Sequence, residues 1–211
     1  MVTTLFFVGQ AFLLINIILY VIYYSSKGNA YRFFVGYLLA IFSIQLVMYA
    51  YSSNDLNNHF LSTYYLFLQF VLLSGFFYWL FKPVQKKISS VVKYVSILVF
   101  AGLVAQYIFD PALYYVFNTL GFLASSAVLI IYTVFYLYEM LSKKLPFYYV
   151  CVGLFIYLMS SSLIFVMATS LISFGDKISV LIWNINAFLF IVYQLLILWE
   201  WKQSFFRKKT A

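Results

Sequence analysis

The residues able to carry chemistry are few. His59 is the single histidine, Cys151 the single cysteine, and the acidic set is Asp55, Asp110, Glu139, Asp176 and Glu200. One histidine excludes a two-histidine metal site, and one cysteine excludes an internal disulfide or a thiolate cluster for zinc or iron. The simpler reading of His59 is a solvated loop residue. No Asp, Glu, Lys or Arg stands in the middle of any long apolar run, so the usual mark of an ion path or proton relay is missing. The last run has no lysine for a retinal Schiff base. Glu139 and Glu200 lie near run ends beside Lys143 and Lys202, which predicts interfacial ion pairs. The expectation is a chain with no catalysis, no metal and no cofactor.

Uncharged polar groups and aromatics remain. Aromatic residues make up 24% of the chain, more than two interfacial belts require. Gln10, Gln69, Gln106, Asn118, Thr169, Ser170, Asn184 and Asn186 concentrate toward one half of the apolar runs, at the depth of Tyr49, Tyr64, Tyr65, Tyr107, Tyr114 and Tyr115. Trp183, Asn186, Phe190, Tyr193, Ile197 and Trp201 follow helical steps and form one stripe. Lipid cannot satisfy an amide, so that stripe should face protein. Two readings stay open. The amides can bond neighbouring helices, at about 0.6 to 2 kcal/mol per bond. Alternatively Gln10, Gln69, Gln106, Asn118, Trp183 and Asn186 line an outward pocket for a neutral or amphipathic ligand. Ser160, Ser161 and Ser162 read most simply as a close helix-packing site.

These side chains need elements to hold them. The chain is 66% hydrophobic and 9% charged, against about 25% charged in a soluble domain, so lipid is its expected solvent. At about 20 residues per crossing, its 211 residues make one domain, 1–211, with seven spans at 4–24, 31–51, 60–81, 91–109, 112–141, 147–173 and 178–201. The first span has no basic segment before it and no small-residue cleavage site after it, which predicts a retained span rather than a signal peptide. Pro83, Pro111 and Pro146 all fall at junctions, so continuous helices are expected. That argues against the broken helices of transporters. Twelve of the thirteen Lys and Arg residues fall on one side of this arrangement, with only Lys177 on the other. By the positive-inside rule the N-terminus is outside and the C-terminus cytoplasmic. The predicted fold is all-α, a polytopic bundle of seven transmembrane helices. The net charge of +8 then reflects topology, with no soluble face to present to nucleic acid.

The tail places Phe205 and Phe206 between Lys202 and the basic cluster Arg207, Lys208 and Lys209. It reads as an anchor on the membrane surface, gaining about 1 kcal/mol per basic residue near anionic lipid, or as a contact for a protein partner.

Three stretches, "YLYEML" (136–141), "PFYYVCVGLFIYLMSSSLIF" (146–165) and "IWNINAFLFIVYQLLILWEWK" (182–202), resemble the last three helices of small seven-helix inner-membrane proteins of Bacteroidetes. "LFLQFVLLSGFFYWLFKPVQKKI" (66–88) resembles their third helix. The likeness covers about half the chain. Asn186 stands where those proteins often have His, and Gln69 lies near where they often have Glu. Roles of ionisable groups at those places therefore do not carry over. Members are often associated with sensor histidine kinases, and their biochemical activity is undefined. The resemblance implies a receptor-like or accessory part of a signalling system in a bacterial cytoplasmic membrane, partnered by a sensor kinase. A structural subunit of a larger envelope complex and a carrier of a small neutral solute are the alternatives.

Overall fold

The computed structural model describes residues 2–22, 24, 27–171 and 176–206, with the side chains of all of these except 2, 3, 167–171, 176–179, 205 and 206. The described residues contain helix and no strand. The helices are α1 Val2–Val21, α2 Asn29–Ser53, α3 His59–Phe81, α4 Lys86–Phe109, α5 Thr119–Met140, α6 Tyr148–Leu171 and α7 Asp176–Glu200. A 3-10 segment, Pro111–Tyr115, precedes α5, and a π-helical segment, Trp201–Phe206, continues α7. All seven α-helices are long and apolar enough to cross a membrane, which marks a multi-pass membrane protein.

The chain divides into two compact units. The second comprises Tyr23–Leu129. In it α2 lays Tyr31, Phe34, Val35, Leu38 and Ile41 into the core at helical spacing. α2 packs against α3, and the Phe34 ring sits 5.3 Å from that of Phe76. Close approach requires Gly75, because a Cβ there would collide with the Phe33 ring. α4 packs on α3 but buries only Ser89, Val92 and Leu103.

The first unit comprises Met1–Ile22 and Ile130–Ala211. α1 and α6 each pack against α7. Leu13, Asn16, Ile17 and Tyr20 of α1 are buried at i, i+3, i+4 and i+7. Gly153 lets α6 approach α7, since a Cβ there would lie 2.8 Å from Tyr193. The Tyr157 ring stacks on Tyr193 at 5.5 Å.

The apolar run from 112 is not one helix. Pro111 cannot extend α4, and the Asp110 carboxylate accepts from the Ala112 N–H at 3.2 Å, closing a 3-10 turn instead. The backbone is extended at Val116, and α5 starts only at Thr119. At the other end of unit 2, α4 begins at Lys86 rather than 91, so its first turn carries the lysines that sequence places in a loop. His59 is the first residue of α3 and is exposed.

Candidate functional site

Asn118 is the pivot of the polar end of unit 2. Its Oδ1 accepts from the Gly121 N–H at 2.8 Å, satisfying one of the free donors at the start of α5. Its Nδ2 donates to Gln106 Oε1 near the end of α4, at 3.1 Å. Gly121 makes this possible, because a Cβ there would lie 2.6 Å from Asn118 Nδ2. Around this pair the start of α3 meets the end of α4 and the 3-10 segment. Thr63 donates to the Tyr107 hydroxyl at 3.3 Å, and the Tyr64 and Tyr114 hydroxyls share a 2.9 Å hydrogen bond. The Phe60 ring lies 6.1 Å from Tyr114 and 5.5 Å from Tyr51. The hydrogen bond with Tyr64, helped by slight desolvation and neighbouring phenols, holds the Tyr114 hydroxyl above the usual tyrosine range. The cluster is made of phenols, a hydroxyl and amides, which can exchange hydrogen bonds with one another or with a bound molecule.

Gln69 lies six residues beyond Thr63, about 9 Å deeper along α3. It is buried, and its Oε1 has no hydrogen-bond partner. Of the six residues predicted to line a pocket, Gln69, Gln106 and Asn118 thus belong to unit 2, and the structure joins the last two directly.

Gln10, Trp183 and Asn186 belong to unit 1. Gln10 is buried on α1. Asn186 is half-buried with its Oδ1 unpartnered, as is Asn184. Trp183 is 41% exposed, its ring 5.8 Å from Phe165. The predicted stripe is therefore buried only from Phe190 through Tyr193 to Ile197, and Trp183 lies at its margin. Thr169 and Ser170 fall outside the described side chains.

Sequence reasoning missed the polar contacts that tie the start of the chain to α7 and the segment after it. Asn16, fully buried in α1, donates to both the backbone O and the Oε1 of Gln194 on α7, at 2.9 and 3.0 Å. An amide in the middle of an apolar run was the available signal. Tyr20 donates to the Ile197 carbonyl at 3.1 Å, and Trp201 Nε1 to that of Leu19 at 3.2 Å.

Glu200 corrects the sequence reading. Glu139 pairs with Lys143 at 2.8 Å as expected, but Glu200 makes no ion pair with Lys202. It is 1% exposed and caps the start of α6: Oε1 accepts from the Phe147 N–H at 2.9 Å and Oε2 from the Tyr149 N–H at 2.8 Å. Ser204 donates to Oε1 as well. Lys202 is exposed, with its Nζ 5.4 Å from the centre of the Trp199 ring. Of the other predicted tail contacts, the side chains of Phe205 and Phe206, and all of Arg207, Lys208 and Lys209, lie outside the described residues.

No protein-family model matches this chain, and neither does any curated protein or solved structure. Its functional reading therefore rests on its own residues.

Proposed function

We propose that this chain is a non-catalytic protein of a bacterial cytoplasmic membrane that serves as a receptor-like or accessory component of a signalling system. The observation that carries the reading is the gathering of Tyr64, Tyr107, Tyr114, Thr63, Gln106 and Asn118 at one end of unit 2, joined by neutral hydrogen bonds. Segments 52–59 and 110–118, which flank this end, contain no Lys or Arg, whereas Lys82, Lys86, Lys87 and Lys93 stand at the other. The positive-inside rule then turns the cluster outward, with the N-terminus outside. Neutral hydroxyls and amides set among aromatic rings suit a neutral or amphipathic ligand. Such a ligand would compete for the bond between Tyr64 and Tyr114, and so act on the link between α3 and the 3-10 segment.

The test is recovery from native membranes in mild detergent, with retained proteins and small molecules identified by mass spectrometry. Wild type should bring down a sensor kinase and a small molecule, and the Tyr64→Phe, Tyr114→Phe double variant should lose the small molecule. Recovery of an envelope assembly that is indifferent to the double variant would replace this reading with that of a structural subunit.

A further inference from the structure

The lysine-bearing half of unit 2 holds a feature that the outward cluster does not use. A groove of about 460 Å³ runs between α3 and α4, with Phe33 of α2 in its wall. That volume lies within the range of about 300 to 1,000 Å³ usual for small-molecule sites. Its chemistry is graded along its length. Lys93 stands on the α4 wall and Trp79 on the α3 wall, with Lys82 Nζ 4.1 Å from the Trp79 ring centre. Ser74 follows, about 7 Å deeper along α3 than Trp79. It is 5% exposed, and its Oγ has no hydrogen-bond partner. Beyond it the lining is apolar, with Phe70 buried and with Ile97 and Phe100 open to the outside of the molecule at 56% and 39% exposure. No acidic side chain lines the groove.

We infer that this groove binds one anionic glycerophospholipid from the adjacent leaflet. Such a lipid presents a phosphate, then ester carbonyls, then an acyl chain, in the order in which the groove presents a cation, an unsatisfied hydroxyl and an apolar wall. The phosphate lies against Lys93, with Lys82 adding positive charge beyond the Trp79 wall, an ester carbonyl accepts from Ser74 Oγ, and the chain runs along Phe70, Ile97 and Phe100. A free inorganic anion would fill only the cationic end and leave the apolar length open. A zwitterionic lipid would fill the length, but its own ammonium group would compete with the lysines for the phosphate. The inference rests on membrane placement alone and not on the outward cluster, because the Tyr64→Phe, Tyr114→Phe variant should leave this lipid bound.

The experiment is native mass spectrometry of the full chain titrated with phosphatidylglycerol or phosphatidylcholine. Two variants at exposed positions, Lys93→Gln and Ile97→Trp, are compared with wild type after thermal melting has established that they fold. Wild type should retain one phosphatidylglycerol in preference to phosphatidylcholine. Lys93→Gln should lower that preference about fivefold, the factor equivalent to about 1 kcal/mol per lysine near an anionic group. Ile97→Trp should fill the apolar length and lower retention of both lipids. Equal retention of the two lipids by wild type would overturn the inference, and so would a preference that Lys93→Gln leaves intact. If Ile97→Trp fails to fold, Lys93→Gln alone decides.

Discussion

Replacing Glu200 should be the most costly single change at the start of α6. The first N–H groups of a helix lack intrahelical acceptors, and Glu200 supplies acceptors for two of them, from Phe147 and Tyr149. Phe147 is buried at 4% exposure and sits at φ 68, in the left-handed region. For a residue other than glycine this costs of order 1 to 3 kcal/mol, and the turn survives because the carboxylate fixes its N–H. Hydrogen bonds to a charged group contribute about 1.5 to 3 kcal/mol each, and a buried donor left without a partner costs about 1 to 3 kcal/mol. Glu200→Ala should therefore lower the unfolding free energy by about 3 to 5 kcal/mol. Glu200→Met, which keeps the volume and removes both acceptors, should come close to that loss. Glu200→Gln keeps one acceptor and turns an NH2 toward the other donor, so its loss should be about 1.5 to 3 kcal/mol. Lys202→Ala should cost under about 0.5 kcal/mol, as expected for an exposed charge with no ion-pair partner. Reversible unfolding in mixed micelles, followed by tryptophan fluorescence, measures all four. If Glu200→Met proves as stable as wild type, or if Lys202→Ala matches Glu200→Ala, the capping account is wrong.

Reporter fusions after Lys87 and Lys144 should report cytoplasm, and a fusion after Asn57 should report the exterior; the opposite result at two of the three would reverse the proposed orientation. Gly121→Ala should push the Asn118 side chain from its cap, since the new Cβ would lie 2.6 Å from Nδ2, and a melting experiment should find about 1 kcal/mol lost. Asn16→Leu should cost about 1 to 2 kcal/mol by leaving the Gln194 Oε1 without its donor, whereas Asn16→Leu with Gln194→Leu should recover part of that loss in the same assay. The Tyr114 hydroxyl is held above the usual tyrosine range by its bond to Tyr64, so the folded state keeps a proton that the unfolded state releases. Its stabilising effect is then present below about pH 10 and declines as pH rises beyond it. Ultraviolet titration of Tyr64→Phe should show one of the remaining tyrosines shifting to lower pH beside the loss of one phenol, and loss of one phenol with no such shift would refute the bond.

Glu200 shows what could and could not be read from sequence. Lys143 follows Glu139 by four residues and so shares its helix face, and the ion pair forms. Lys202 follows Glu200 by two residues, and positions two apart on a helix point away from each other, so the proposed pair conflicted with the geometry of its own element. The true partners of Glu200 are backbone donors more than fifty positions earlier, a relation that no local spacing encodes. The seven long helices were legible because crossing length and apolarity are properties of consecutive residues. The start of α5 was not, because residues 112–117 are nearly as apolar as a helix interior. What stops the helix there is a proline, an aspartate and an asparagine acting on backbone groups. The same limit applies to the candidate sites. Apolar residues surround most of these helices, so only polar positions reveal a face. Asn118 could be seen in sequence as an amide at the right depth, but its commitment to Gly121 and Gln106 depends on how the chain turns after Pro111. The groove at Lys93 was hidden for the complementary reason. Most of its wall is aromatic and aliphatic side chains that look like any other membrane-facing residues, and only the packing of α3 against α4 leaves space between them.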